Sequence, residues 1–262
     1  MPTYAILGAT GQTGREILKA LLPTDNHLNL YARSRERLED QFPSISSAPN
    51  VTLFIGDLSD TSLLSPCLAG ADIILSTVAQ NQNEPGCSIA QRTAMSIVQA
   101  LGPYRSPVDG KPCPTLVFLA SASLHPANTA ITKLPASLLY WTLHHVYDDL
   151  KAAIKLLEAN PWIPLVIASP GALIHGSVHD VELTEDLYHA SDLLSYADLA
   201  KGMIAMGASE GGDWRGKHVA MRVNHGEQIK GNPAALLRYL LPNLLGSLCP
   251  PLWRLGRNWW PK

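Results

Sequence analysis

The stretch Gly8-Ala9-Thr10-Gly11-Gln12-Thr13-Gly14 constrains this chain more than any other. It follows the apolar run Tyr4-Ala5-Ile6-Leu7 and leads directly into a helical pattern from Arg15 to Leu22. A strand that breaks into a glycine turn and then into a helix sets unpaired helix N–H groups at a strand end. Glycine suits a tight turn and lets the backbone approach an anion closely. The turn and the helix start therefore form a cradle for a pyrophosphate, with Gly8, Thr10, Gly11, Gln12, Thr13 and Gly14 as candidate contacts. The spacing is GxxGxxG rather than GxGxxG, so the signal draws its strength from its place between strand and helix.

Strand-like and helix-like patterns then alternate. Strands are expected at His27–Ala32, Val51–Ile55, Ala71–Thr77, Thr115–Ala120, Leu165–Ser169 and Lys217–Val223. Helices are expected at about Ser88–Leu101, Tyr140–Ala159 and Ser195–Ala208. Strands separated by helices of this length imply an α/β fold, a Rossmann-type doubly wound parallel sheet with right-handed crossovers. Ligand sites then collect at the C-terminal ends of the strands. A single NAD(P)-binding domain is expected over residues 1–262, with a polar substrate loop at about 172–194 and a helical tail at about 233–262. The tail is rich in leucine, proline and tryptophan and reads as a helix packed on the domain. A dimer contact, a lid over an apolar substrate and a membrane-surface anchor stay open for it.

Composition excludes several partners. A net charge of −2 with a pI near 6.5 gives no electrostatic case for nucleic acid. The four cysteines (Cys67, Cys87, Cys113, Cys249) form no CxxC and no Cys/His cluster, which argues against a metal site and a disulfide framework. A reducing, cytoplasmic setting is expected, and no apolar stretch is long enough to span a bilayer.

An acid at the end of the second strand would select NAD(H) by holding the ribose 2′-hydroxyl. Here that strand ends in Tyr31-Ala32-Arg33-Ser34-Arg35, with no acid in place. Arg33 with Ser34 suits a 2′-phosphate instead, which favours NADP(H) as the cofactor. Arg33, Arg35 and Arg37 also read as a solvated helix start.

At the reacting end, Tyr147 and Lys151 stand one turn apart on the long helix. A free phenol titrates near ~10, and a neighbouring ammonium favours its deprotonation toward the working range of a proton-transfer catalyst. The fifth strand runs into Ser121 and Ser123, either of which can hydrogen-bond a substrate oxygen beside Tyr147. Tyr147 and Lys151 read equally well as a half-buried helix residue and a solvated charge.

Together these residues resemble the short-chain dehydrogenase/reductase superfamily, with the 24-residue interval from Ser123 to Tyr147 looking like its extended and atypical, NmrA-like members. The resemblance covers roughly residues 3 to 225. It implies that Asp57 and Leu58 sit by the adenine, that Thr77, Val78 and Ala79 line the cofactor, and that Pro170 and Gly171 form the nicotinamide-side turn. It implies catalytic roles for Tyr147, Lys151, Ser123 and Ser121, with Lys151 also on the nicotinamide ribose. The N-terminal MPTYAILGATGQTG, the Ser121–Pro126 stretch and Val146–Leu150 are similar to the averufin oxidase A group of fungal polyketide tailoring proteins. That similarity implies an NADP(H)-dependent oxidoreductase acting on an aromatic or polycyclic carbonyl or hydroxyl in secondary metabolism, with a homodimer also open. Two rival readings keep the fold: non-redox isomerisation, cyclisation or dehydration, and a dinucleotide-sensing accessory role.

Among the histidines, His144 is spaced to pair with Asp148. His125, His175, His179 and His189 fall near the expected substrate mouth, where a packing or surface role competes with an acid–base one. Gln80-Asn81-Gln82-Asn83 reads either as an amide lining of the nicotinamide pocket or as a polar loop.

Overall fold

The computed structural model describes residues 1–106, 110–124, 136–187, 193–210, 212–223, 240, 243–251 and 253. His125, His189, and most of the tail with Trp259 and Trp260 lie outside the described residues. The elements in order are β1 (Thr3–Leu7), α1 (Gln12–Leu21), β2 (His27–Ala32), α2 (Arg35–Gln41), β3 (Val51–Ile55), α3 (Thr61–Leu68), β4 (Ile73–Ser76) and α4 (Ile89–Ala100). They continue with β5 (Thr115–Leu119), α5 (Ala136–Glu158), β6 (Leu165–Ala168), β7 (Ala172–Ile174), β8 (Val181–Thr184), β9 (Leu193–Ser195), α6 (Tyr196–Gly207) and β10 (Lys217–Val223).

Eight strands form one sheet in the order β3-β2-β1-β4-β5-β6-β10-β8. All neighbours run parallel except β8, which pairs antiparallel with β10. The order reverses direction between β1 and β4, so the crevice above those two strands is where a doubly wound sheet binds its ligand.

The strands read as continuous apolar runs because both faces are covered. Along β1, Ala5 and Leu7 enter one core while Tyr4 and Ile6 enter the other. Phe118 and Val117 of β5 divide in the same way. One core is closed by α3, α4 and α5 through residues such as Leu64, Ile97 and Leu150. The opposite core is closed by α1 and α6 through Ile17, Leu18, Leu199 and Met203. On α1 the buried positions Gly14, Ile17, Leu18 and Leu21 recur at three and four residues, which is why this stretch packs as a helix.

The polar stretch expected to be a structureless substrate loop holds more order than that. Val181-Glu182-Leu183-Thr184 alternates apolar and polar side chains and forms the β8 edge strand, and β7 pairs with β9 in a separate two-stranded sheet. These elements are three or four residues long, too short for their period to stand out from polar surroundings.

Candidate active site

The glycine turn is packed too closely for side chains at two of its glycines. Gly8 stands at φ +90°, and a Cβ there would meet Thr77 Oγ1 at 2.8 Å. A Cβ on Gly14 would run into the Gly8 carbonyl oxygen and lie 2.9 Å from Ala9 Cα, so the helix meets the turn backbone to backbone. The turn is closed by Gly11 N–H donating to the Gly8 carbonyl at 2.9 Å. No side chain caps the N-terminus of α1. The Gln12 side-chain oxygen is buried without a hydrogen-bond partner. Open helix N–H groups and an orphaned amide beside a tightly packed glycine turn are what a dinucleotide's pyrophosphate needs. The residues fit the group.

Around this cradle the other cofactor positions fall in place on neighbouring strands. Thr77 continues β4, its N–H donating to the Leu7 carbonyl and its hydroxyl to the Leu7 (3.0 Å) and Gly8 (3.3 Å) carbonyls. Val78 and Ala79 follow it, half-buried. Asp57 is exposed beyond β3, where its carboxyl accepts the Ser59 hydroxyl (2.6 Å) and N–H (3.0 Å). Those bonds, with Arg92 and Arg33 nearby, hold it below the usual carboxylate range. The Asp57–Leu58 turn is pinned from beneath by Tyr31, whose phenol donates to the Asp57 carbonyl at 2.8 Å. Burial pushes that phenol up to about 12.

Arg33 leaves the end of β2 exposed and, among the described residues, makes no hydrogen bond. Its neighbours are engaged. Ser34 caps α2 by accepting the Arg37 N–H at 3.1 Å, and Arg35 reaches Ser46 at 3.0 Å and Glu39 at 3.8 Å. Of the three arginines expected at this helix start, Arg35 is the one held by local contacts.

On the sheet edge beyond β5, Ser121 and Ser123 converge on Tyr147. Both side chains lie close enough to the phenol, which is 6% exposed, to favour its ionised form, and the Ser123 N–H donates to Ser121 Oγ at 3.3 Å. Burial raises the phenol's pKa, and the two serine contacts pull it down without overcoming that. The turn after β6 is tied to this edge, since the buried Pro170 accepts the Ala122 N–H at 2.9 Å and Gly171 follows half-buried.

Lys151 departs from the expectation. Its ammonium lies over the Tyr140 ring, 4.3 Å from the centroid, and does not contribute to the Tyr147 shift. Tyr140 is itself stacked 6.0 Å from Tyr147 and donates to Asp148 at 2.5 Å. Thus Asp148 is taken by Tyr140 and not by His144, whose Nδ1 lies 3.0 Å from Ser247 Oγ. α5 also breaks at Leu143 (φ −124°, ψ 19°), between Tyr140 and Tyr147.

Two elements escaped the sequence. Asp149, 6% exposed, accepts the Ala90 and Gln91 N–H groups at 2.9 Å each and so caps α4 from a different helix. Asp198, with no exposed surface, completes a capping box with Ser195 and accepts His179 Nδ1 at 2.8 Å. The serine followed by an acid at the third helical position was a legible capping signal, whereas nothing local in the sequence marks Asp149 as a cap. The amide loop also divides: Gln80 donates to Glu84 at 3.1 Å, and Asn83, fully buried, is bonded to Asn243 and Ser247. Those two side chains are committed within the protein.

Among the described residues no group of His, Cys, Asp and Glu has the geometry to hold a metal ion, and no helix is long and apolar enough to cross a membrane.

The comparisons with known proteins follow the same lines. The NAD(P)H-binding family model matches residues 8–210. The oxidoreductase stcQ of Emericella nidulans is 35% identical over 264 residues, covering 97% of this chain and 94% of that protein. The oxidoreductase aflX of Aspergillus parasiticus is 36% identical over 210 residues, 78% of this chain and 77% of that one. Among solved structures, a wide-type short-chain dehydrogenase/reductase from Veillonella parvula in complex with NADP shares the fold. Its TM-score is 0.65 at 19% identity, over 86% of this chain and 95% of that one. With relatives this similar along nearly its whole length, the chain belongs to the NAD(P)H-binding family and is an NAD(P)-dependent oxidoreductase.

Proposed function

We propose that the protein is an NADP(H)-dependent reductase of an aromatic or polycyclic, polyketide-type carbonyl in fungal secondary metabolism. We take it to act in the cytoplasm as a single domain over residues 1–262, with residues 172–194 and the tail from 233 shaping the substrate side. The observation that carries this reading is the convergence of the Ser121 and Ser123 side chains on a buried Tyr147 phenol at the sheet edge. The four free cysteines and the net charge of −2 are consistent with a reducing compartment and a small-molecule partner.

Bound nicotinamide supplies the hydride. The chain's own residues handle the proton. Because burial keeps the Tyr147 phenol above its ordinary pKa, it is neutral at pH 7 and holds a proton ready for the carbonyl oxygen as charge develops there. Ser123 and Ser121 present hydroxyls to the same oxygen and orient it. Lys151 holds the nicotinamide ribose once it leaves the Tyr140 ring. Arg33, free of local bonds, meets the 2′-phosphate, with Ser34 beside it. Asp57 and Leu58 bracket the adenine, Thr77, Val78 and Ala79 line the cofactor, and Pro170 and Gly171 close its nicotinamide side.

The test is turnover of a panel of aromatic polyketide ketones with NADPH. Tyr147→Phe is expected to lower kcat by roughly 100-fold or more while leaving NADPH affinity unchanged, in line with the worth of a positioned proton donor. Turnover that survives Tyr147→Phe overturns the reading.

A further inference from the structure

The break in α5 stands four residues before Tyr147. In an unbroken helix the His145 N–H bonds the Trp141 carbonyl. Here those two groups are also taken up from outside the helix. The His145 N–H donates to Asn83 Oδ1 at 2.9 Å, and the Trp141 carbonyl accepts from Ser247 Oγ at 2.6 Å. Asn83 Nδ2 in turn donates to Ser247 Oγ at 2.8 Å and to the Asn243 carbonyl at 3.1 Å. The Asn83 backbone N–H donates to Asn243 Oδ1 at 2.7 Å. Both ends of a fully buried amide are thus satisfied, half by α5 and half by the C-terminal segment.

Three further contacts fix this arrangement. A Cβ on Gly246 would run into the Asn83 carbonyl oxygen, so the segment lies directly on the loop after β4. His144 Nδ1 faces Ser247 Oγ at 3.0 Å and Trp141 O at 3.3 Å. The Ser247 proton is spent on Trp141, so both neighbours are acceptors and His144 Nδ1 carries the proton. Trp253, 2% exposed, closes the segment, its N–H donating to the Cys249 carbonyl at 3.1 Å. A slip of the segment strands buried donors and acceptors.

We propose that Asn83 is a positioning residue through which the C-terminal segment, residues 243–251, holds the break in α5 and sets the place of the Tyr147 phenol between Ser121 and Ser123. The kinetic consequence rests on the role given to Tyr147 above; the structural one does not. The tail thereby belongs to the active site by way of one amide, without touching the reacting atoms.

The test pairs amide hydrogen exchange with steady-state kinetics on full-length Asn83→Ala and Gly246→Ala proteins, using NADPH and the ketone of the panel that the parent turns over best. Exchange is expected to quicken in residues 243–251 and also across 144–148. In both variants kcat is expected to fall roughly 10- to 100-fold, as a misplaced proton donor requires. KM and the Kd for NADPH are expected to stay within about twofold, which loss of general folding does not produce. Parental exchange at 144–148 in a variant whose 243–251 segment has loosened overturns the proposal. So does a parental kcat in a protein whose Tyr147→Phe form is inactive. If Tyr147→Phe itself keeps its turnover, the catalytic reading has failed and the exchange result alone decides. Should Asn83→Ala not fold, Gly246→Ala, which spares the amide, carries the same outcomes.

Discussion

Removing the Asp149 carboxylate has a cost that follows from its geometry. The side chain is 6% exposed and accepts two N–H groups from the first turn of α4 at 2.9 Å each, where Ser88 supplies no side-chain cap. In Asp149→Ala the Ala90 N–H, at 1% exposure, is left buried without an acceptor at about 2 kcal/mol. Water replaces much of the bond to the exposed Gln91, so that loss is nearer ~0.5 kcal/mol. Removing a negative charge from a helix N-terminus adds about 0.5 kcal/mol. The sum is about 3 kcal/mol, and for a chain of this length that lowers Tm by about 6 °C. Asp149→Asn keeps one acceptor oxygen and is expected to lose about half as much. Asp148→Ala, exposed and bonded to Tyr140, is the control and should change stability by less than about 1 kcal/mol. Urea unfolding followed by circular dichroism, with calorimetric Tm values alongside, reads all three. An Asp149→Ala protein within about 1 kcal/mol of the parent, or one no less stable than Asp148→Ala, refutes the reasoning.

Gly14→Ala brings a Cβ to 2.9 Å from Ala9 Cα and into the Gly8 carbonyl, both backbone atoms that cannot swing aside. The phosphate turn must open, so NADPH affinity measured by fluorescence titration should drop at least about tenfold while the fold loses only about 1–3 kcal/mol. Asp198 carries a pH dependence. Burial alone raises its carboxyl, but hydrogen bonds from His179 and Ser195 outweigh that and leave it below the ordinary value. As pH falls, the unfolded chain therefore takes up its proton first, near ~3.9. This stabilisation is complete above that range and lost as pH drops through the lower native value. Asp198→Asn should flatten the stability curve below about pH 4, as followed by urea midpoints, and a curve as steep as the parent's contradicts the assignment.

Much of the fold was legible because its signals are local. Strands buried on both faces are uninterrupted apolar runs, and β2, β3 and β10 fall on the residues where their composition puts them. The glycine turn was legible because only a chain that lacks a Cβ at Gly8 and Gly14 can build it. The convergence of Ser121 and Ser123 on Tyr147 followed from strand order, with each residue at an end or on a helix whose place the sheet fixes. What escaped depends on distant partners. Asp149 caps a helix 58 or 59 residues away, and Asn83 meets residues 160 and 164 positions on, separations over which no periodic pattern reaches. The break at Leu143 escaped for the same reason: no proline or glycine marks it, and contacts from the C-terminal segment maintain it. The four-residue spacing of His144 and Asp148 did not become a pair because distant partners engage each side chain, Ser247 for His144 and Tyr140 for Asp148.

The account turns on a phosphorylated dinucleotide seated on the glycine turn with its 2′-phosphate at Arg33. Its most direct test is equilibrium titration of the parent and of Arg33→Ala with NADPH and with NADH, read by nicotinamide fluorescence. A charge-assisted phosphate contact worth about 1.5–3 kcal/mol predicts that the parent binds NADPH roughly 10- to 100-fold more tightly than NADH. Arg33→Ala should remove that preference and leave NADH affinity unchanged. Equal affinities in the parent, or a preference that persists without Arg33, would contradict the account.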